Sequence, residues 1–327
     1  MTKRLAMLGS SSIAAAMMFV GAANAAQPPA RAATDGLCTV TVNLPPPSGP
    51  APNLAELFGR PNPQAERPRL VKVKDDVYVI QNAENTAAQI MQFGGNVTIY
   101  LTDEGVILFD SKNEQMHDDI VAKVRTLTDK PIKYVVVTHH HPDHSGGNAK
   151  LQQAGATVVM SRDDGLAMAG VAPGAPPPQE MYSGSRNIAL GGKEVRLTEF
   201  CGHTSGDTVA YLPAARVVVA GDLVTTPESI PPIVDYSSGG NWADLGRTLD
   251  AIAAMDFDFL VGGHGPVLSK AEFLRHRDRV ARIRDRARAL VKEGKNQQEV
   301  TQTLIKELNY GTGPAMMNMP GMMAEFR

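Results

Sequence analysis

The sequence predicts an α/β protein organised as a four-layer αβ/βα sandwich: two mixed β-sheets stacked face to face, with helices on both outer faces. Three observations lead there. Apolar runs of strand length recur between residues 69 and 264. They fall in two β-rich halves, each followed by residues of helical periodicity, and the second half repeats the order of the first without repeating its sequence. A sheet covered by helices on one face must bury the other, and the sheet of the opposite half is the available partner.

The first half opens at "RLVKVKDDVYVIQNA", where alternating apolar residues on either side of Asp75-Asp76 predict a hairpin. "IMQFGGNVTIYLTDEGVILFDSK" reads as strand, a Gly94-Gly95 interruption, strand, a turn near Asp103-Glu104-Gly105, and strand. The helical pattern of "NEQMHDDIVAKVRTLT" leads into "IKYVVVTH", a strand apolar enough to be buried on both faces. "LQQAGA", "TVVMSR" and "DDGLAMA" continue the alternation.

After a Pro/Gly loop at 171–185, strands are predicted near 187–201, 208–212 and 216–221, a helix over 243–255, and a strand at "FDFLVGG". The long helix that follows sets Phe273, Val280, Ile283, Ala287 and Leu290 at helical spacing and arginines on the remaining face. The folded domain is thus expected over 68–310, followed by a methionine-rich tail, 311–327. Such a tail serves as an apolar cover near a site, as a subunit contact, or as a frayed end.

At the other end, basic "MTKR", an apolar small-residue run and Ala23-Asn24-Ala25 form a signal peptide, residues 1–25, with the mature chain starting at Ala26. In a bacterial cell that predicts a periplasmic or secreted protein. Gly9 and Ser10 to Ser12 leave the apolar stretch shorter than the ~20 residues of a membrane span, so no stable anchor is expected after cleavage. Residues 26–67 are rich in proline and alanine and read as a partly disordered leader, within which "CTVTVNL", 38–44, has the pattern of an edge strand. The two cysteines, Cys38 and Cys201, exclude a disulfide-rich scaffold and a cysteine-cluster metal site. They either pair in an oxidising compartment or remain a free thiol and a buried small residue.

The composition, 43% hydrophobic and 20% charged over 327 residues, is that of an ordinary globular chain. A net charge of −2 gives no global attraction to nucleic acid or anionic lipid, which favours a small-molecule substrate. Oligomeric state is not legible.

Chemistry concentrates in "VVVTHHHPDHSGGN", which holds four of the chain's eight histidines. In extended backbone His139 and His141 point to one side and His140 to the other. Pro142 then turns the chain, placing Asp143 and His144 on the bend before Gly146-Gly147. A catalytic zinc site takes about three protein ligands, so more are required. Three other strand ends offer them: His203 in "EFCGHTSGDT", Asp222 in "VVVAGDLV" and His264 in "FLVGGHGP". His117, His140 and His276 are left as bystanders. Any one of these strand-end histidines alone reads as an ordinary loop residue; the ordered set reads as a metal centre.

These motifs resemble the metallo-β-lactamase-fold hydrolases, whose H-x-H-x-D-H, His, Asp, His order matches "HHHPDH", "GHTSGDT", "AGDLV" and "GGHGP" over roughly residues 70 to 270. The resemblance implies two metal ions per chain, zinc first, with iron or manganese tolerated. It assigns His139, His141 and His203 to the first ion, and Asp143, His144 and His264 to the second. Asp222 bridges them. It implies hydrolysis in which a metal-bridging hydroxide attacks the carbonyl of a lactone, thioester, ester or lactam, with Asp143 as the catalytic carboxylate that orients the water or takes its proton. Asp110 at the end of "GVILFDS" then orients a ligand histidine, or else is a plain turn residue.

Asp222 occupies a place where some lactamases of the family carry cysteine, and "DLVTTPESIPP" lacks the lysine that follows in those enzymes. Both differences favour other carbonyl substrates over β-lactams. A β-lactamase using only His/Asp ligands is the alternative within the class; an iron-dependent oxidoreductase of the same fold and a non-catalytic metal-binding protein are the alternatives outside it. Selectivity is expected from Gly94-Gly95-Asn96 and the irregular segments around 170–185 and 225–242, with Tyr182, Tyr236 and Trp242 as candidate aromatic walls, and Arg186 or Tyr236 as a carboxylate anchor.

Overall fold

The computed structural model describes residues 38–44, 59–172, 174–226 and 230–327. The expected signal peptide, the leader residues 26–37 and 45–58, and Pro227 to Ser229 of the second selectivity segment lie outside them.

One sheet has seven strands in sequential order, β1 (Arg69–Lys74), β2 (Val77–Gln81), β3 (Val97–Leu101), β4 (Val106–Phe109), β5 (Ile132–Val136), β6 (Thr157–Ser161) and β7 (Glu180–Tyr182). Its pairings are antiparallel up to β4 and parallel from β4 to β7. The other is formed by β8 (Ser185–Leu190), β9 (Lys193–Phe200), β10 (Asp207–Leu212), β11 (Val217–Thr225), β12 (Phe259–His264) and β13 (Leu268–Ser269), in spatial order β13-β12-β11-β10-β9-β8. There only β11 and β12 pair in parallel. The expected four-layer sandwich of mixed sheets is the fold observed.

Side-chain alternation explains the layering. In β4, Ile107 and Phe109 face the second sheet, and in β5 and β6 so do Val136 and Val159; they meet Leu197, Ala210, Val217, Val219 and Val261. Their neighbours Leu108, Val135, Val158 and Met160 turn outward onto helices α1 (Ala87–Phe93), α2 (His117–Arg125), α4 (Asn148–Gln153) and α5 (Arg162–Val171), α3 being the single turn Pro142–Ser145. On the far side Val218, Ala220 and Leu260 pack under α6 (Trp242–Ala254), α7 (Lys270–Lys292), α8 (Gln297–Leu308) and α9 (Met319–Phe326). Because successive strand residues point to opposite faces, strands apolar at every position are what a sheet covered twice requires.

Several expectations are corrected. "IMQF" is not a strand: it ends α1, whose N-cap Thr86 accepts from the Gln89 amide and whose run stops at Gly94. The 171–185 loop contains β7, and the chain passes from one sheet to the other between Tyr182 and Ser185. Residues 38–44 pair with no strand; instead the Thr39 and Val40 amides bond the Asp244 carboxylate near the start of α6, and Cys38 is disulfide-bonded to Cys201. The methionine-rich tail is α9 preceded by a short 3-10 turn, Gly313–Asn318, with Met319, Met322, Met323 and Phe326 buried. Among the described residues no helix is long and apolar enough to cross a membrane.

Candidate metal centre

The site lies at one edge of the sandwich, where β4, β5, β9 and β12 end. β5 stops at Val136, and the backbone then carries His139 and His141 before Pro142 starts the single turn α3, which presents Asp143 and His144. His264 is the last residue of β12, and His203 stands in the loop between β9 and β10. Asp222 is inside β11 rather than at its end, since that strand runs on to Thr225 with register shifts on either side of Gly221. Gly221 has φ +51, and a Cβ there would sit 2.5 Å from Thr138 Oγ1. A side chain is likewise impossible at Gly263, where a Cβ would lie 1.9 Å from Asp222 Oδ1. The bulge and the bare neighbour together let the Asp222 carboxylate reach the ligands.

All seven expected residues converge. His141 Nδ1 lies 3.1 Å from His139 Nε2 and 3.0 Å from His203 Nε2. His144 Nε2 and His264 Nε2 are 3.3 Å apart, and Asp143 Oδ2 is 3.4 and 3.3 Å from them. Asp222 spans both groups, with Oδ1 3.3 Å from His144 and 3.2 Å from His264, and Oδ2 3.8 Å from His203. Ligand-capable atoms of His139, His141 and His203 fall within 4.8 Å of one another, as do those of Asp143, His144 and His264.

The outer nitrogens show which lone pairs point inward. His144 Nδ1 bonds Asp110 Oδ2 at 2.8 Å, His203 Nδ1 bonds the Ile233 carbonyl at 2.7 Å, and His141 Nε2 bonds Asp235 Oδ2 at 2.9 Å. His139 Nδ1 faces Thr138 Oγ1 at 3.2 Å. A nitrogen that donates to a carboxylate or carbonyl leaves its partner nitrogen as an acceptor. In the first group the lone pairs of His139 Nε2 and His203 Nε2 therefore both face His141 Nδ1, which can offer at most one proton between them. In the second, Asp222 Oδ1 is buried and has no hydrogen bond. A divalent cation satisfies both arrangements, and an all-nitrogen and oxygen donor set suits zinc, iron or manganese.

The ligands titrate in opposite directions: burial acts downward on His141, but Asp235, Asp143 and Asp222 raise it against that pull. Burial, reinforced by His144, His203 and His141, holds His139 well below the ordinary imidazole value, and burial brings His203 down to about 4. For His144 burial acts downward, but Asp143, Asp222 and Asp110 overcome it and hold the ring well above its usual value; His264 is raised by Asp222 and Asp143 against the same penalty. Asp143 and Asp222 are correspondingly held below the carboxylate range by His144 and His264 despite burial.

Asp110 is an orienting residue, with φ +66, and it accepts from the Thr138 amide and hydroxyl as well as facing His144. His140 stands outside the two ligand groups but is not idle: Nδ1 meets Asp164 Oδ1 at 2.5 Å and Nε2 meets Ser238 Oγ at 3.1 Å. His140, His141 and Asp235 also cluster, yet both His140 nitrogens and His141 Nε2 are already hydrogen-bonded. Thr204 Oγ1 reaches both Asp164 and Asp207, and Asp207 accepts the His203 amide. Burial and the neighbouring Asp164 carboxylate hold Asp207 well above the carboxylate range.

The expected aromatic walls are not walls. Trp242 is fully buried against Tyr310, the Tyr182 hydroxyl bonds Thr208, and the Tyr236 hydroxyl bonds Glu325. Arg186 is paired with Glu180 at 2.6 Å. Asp235, the Ile233 carbonyl and Lys112 were missed. Lys112 is fully buried with φ +56 and donates to Asn82 Oδ1 and the Gly95 carbonyl, which fixes the glycine rim beside Asp143. Asp235 follows no strand and Lys112 lies three residues beyond β4, so neither carries the apolar-run-then-ligand signal that marked the others.

The family model described as the Metallo-beta-lactamase superfamily matches residues 90–264. The chain is 31% identical over 159 residues to a hydroxyacylglutathione hydrolase of Acidiphilium cryptum, an alignment covering 45% of this chain and 56% of that one. It is 22% identical over 174 residues to a type 2 metallo-beta-lactamase of Elizabethkingia meningoseptica, covering 53% of this chain and 67% of that one. With a hydroxyacylglutathione hydrolase of Rhodospirillum rubrum, 28% identical, the match covers 47% of the relative, so the chain spans about half the length of these two hydrolases. Among solved structures, a metallo-beta-lactamase from Pontibacter korlensis superposes with a TM-score of 0.56 at 19% identity, covering 66% of this chain and 99% of that one. A Pseudomonas aeruginosa metallo-beta-lactamase in its mono-zinc form gives 0.54 at 19% identity, covering 67% and 97%.

Proposed function

This chain belongs to the metallo-beta-lactamase superfamily, and from that premise we propose that it is an exported hydrolase of activated acyl compounds that works with two zinc ions. One observation carries the reading: Asp222 turns one oxygen to His144 and His264 and the other to His203, so two ligand groups share a single carboxylate. His139, His141 and His203 hold one ion; Asp143, His144 and His264 hold the other. When bound, such a pair supplies a water acidic enough to ionise near neutral pH and polarises the carbonyl.

The chain's own residues supply positioning and proton handling. Asp143 Oδ2 lies 3.4 and 3.3 Å from His144 and His264 and is the most exposed of the three side chains, placed where a carboxylate accepts a proton from the attacking water or passes it to the leaving group. Asp110, Ile233 and Asp235 hold the imidazoles in one tautomer, so no reorganisation is needed as charge develops.

The substrate class follows from what the rim offers. Residues 223–242 contain no lysine or arginine, and Arg186 is already paired, so a β-lactam carboxylate meets no ready cation there. Losing a charge-assisted anchor of ~1.5 to 3 kcal/mol lowers affinity by roughly one to two orders of magnitude. The relatives named hydroxyacylglutathione hydrolase favour a thioester as the first class to try. Export is supported by the Ala23-Asn24-Ala25 site and by the Cys38–Cys201 disulfide, which persists in an oxidising compartment.

The test is kcat/KM on the purified mature protein for a thioester, a lactone, an aryl ester and a β-lactam. The reading expects at least one of the first three to exceed the lactam by about tenfold or more. A lactam faster than all of them overturns the substrate ranking; no turnover of any class overturns the hydrolase reading. An intact Met1 in the mass of the exported fraction overturns cleavage after Ala25.

A further inference from the structure

The C-terminal tail grips the loop that orients two of the seven candidate ligands. Residues 230–241 wrap the first ligand group. The Ile233 carbonyl accepts from His203 Nδ1, the Asp235 amide donates to the His203 carbonyl at 2.8 Å, and the Asp235 carboxylate takes His141 Nε2. The tail holds this loop on both sides of Asp235. Asn318 Oδ1 accepts the Val234 amide at 2.7 Å, and Glu325 Oε2 accepts the Tyr236 hydroxyl at 2.9 Å. The same carboxylate receives the Trp242 and Ala243 amides at 3.0 and 2.9 Å, tying the tail to the first turn of α6. Just ahead of the tail, the Tyr310 hydroxyl donates to the Pro232 carbonyl.

Packing makes the grip specific. Gly321 lies against the Tyr236 ring so closely that a Cβ would be 2.2 Å from Cδ2, and Met319, Met322, Met323 and Phe326 share one core with Val234, Tyr236 and Trp242. Pure packing needs apolar contact only. Here the Asn318 and Glu325 side chains of the tail end on the residues flanking Asp235, or on the helix that follows.

We propose that Asp235 is the positioning residue of the first ligand group and that the tail, through Asn318 and Glu325, sets where Asp235 stands. The inference rests on the reading that His139, His141 and His203 hold an ion. With the tail in place His141 Nε2 stays donated to Asp235 and Nδ1 stays aimed at His139 and His203; with the tail loosened the loop shifts and that lone pair loses its aim.

The test uses the full mature chain and reads metal binding, not turnover: zinc affinity by competition with a chelator, and the visible spectrum of the cobalt-loaded protein. Asp235→Ala is expected to weaken one ion by roughly 10- to 100-fold and to change the cobalt spectrum, with the other ion little affected. Asp235→Asn, which keeps an acceptor, recovers most of the loss. Glu325→Gln and Asn318→Ala each weaken the same ion severalfold. Should Asp235→Ala prove insoluble, Asn318→Ala removes a single bond and decides the matter alone. Variants that melt earlier while affinity and spectrum stay at the parent values overturn the inference and leave the functional reading standing. A parent protein that binds no ion overturns both.

Discussion

Asp110 Oδ2 is 2.8 Å from His144 Nδ1 and 2.8 Å from the Thr138 hydroxyl, while Oδ1 receives the Thr138 amide at 2.7 Å. One carboxylate thus fixes both the root of the histidine-rich loop and the ring that serves the second ligand group. Asp110→Ala removes the acceptor from a buried imidazole and from a buried amide. Metal titration is expected to show one ion weakened by about 10- to 100-fold, with the other retained. Unchanged binding of both ions would mean that Thr138 and His144 are held by other contacts.

Metal binding should depend on pH with a definite sign. His144 and His264, and His141 through Asp235 and its acidic neighbours, have folded pKa values raised against the pull of burial, so they carry protons at higher pH than a free imidazole. Those protons must leave when an ion binds. Affinity is therefore full well above the raised values and falls as pH drops through them, beginning above the ordinary value of 6.5. Calorimetry in buffers of different ionisation enthalpy should report proton release at pH 7; zero release would contradict the charged, metal-free centre.

Lys112 gives a separate test of stability. Burial pushes its ammonium down to about 7, with Asp119 and Asp143 acting upward. Between about 7 and 10.5 the unfolded chain holds a proton that the folded chain does not, so stability rises with pH across that window. Lys112→Met abolishes this slope and leaves Asn82 and the Gly95 carbonyl without their donor, at a cost of about 1 to 3 kcal/mol. Denaturant midpoints of metal-free parent and variant at pH 7 and 9.5 measure both effects; parallel pH profiles would show that Lys112 stays charged throughout.

What the sequence made legible was whatever a local pattern encodes. His139 and His141 share a side because the chain is extended there, and His203, Asp222 and His264 stand out because each follows an apolar run. Asp235 has no such mark: it meets His141 from 94 positions away. Asn318 and Glu325 reach their partners across more than 80 positions, which is a property of the packed layers alone. "IMQF" shows the ambiguity of a four-residue apolar run, settled as helix by Thr86 and Gly94. Tyr182, Tyr236 and Trp242 sit in loop-like sequence but are consumed by the core, because large rings are worth more buried than as a rim.

The Cys38–Cys201 disulfide joins positions 163 apart and ends two residues before His203. Together with the Thr39 and Val40 bonds to Asp244, it fastens residues 38–44 to the start of α6. Cys38→Ser is expected to lower unfolding stability by about 2 to 4 kcal/mol. Equal midpoints for parent and variant under non-reducing conditions would show that the noncovalent contacts suffice.

The account turns on two ligand groups sharing Asp222, and metal stoichiometry reads that most directly. Elemental analysis of the dialysed mature protein, with hydrolysis of its best substrate followed through chelation and zinc return, should give about two ions per chain and activity that disappears and recovers with them. Hydrolysis that persists in metal-free protein, or a single tight ion with His264→Ala fully active, would contradict it.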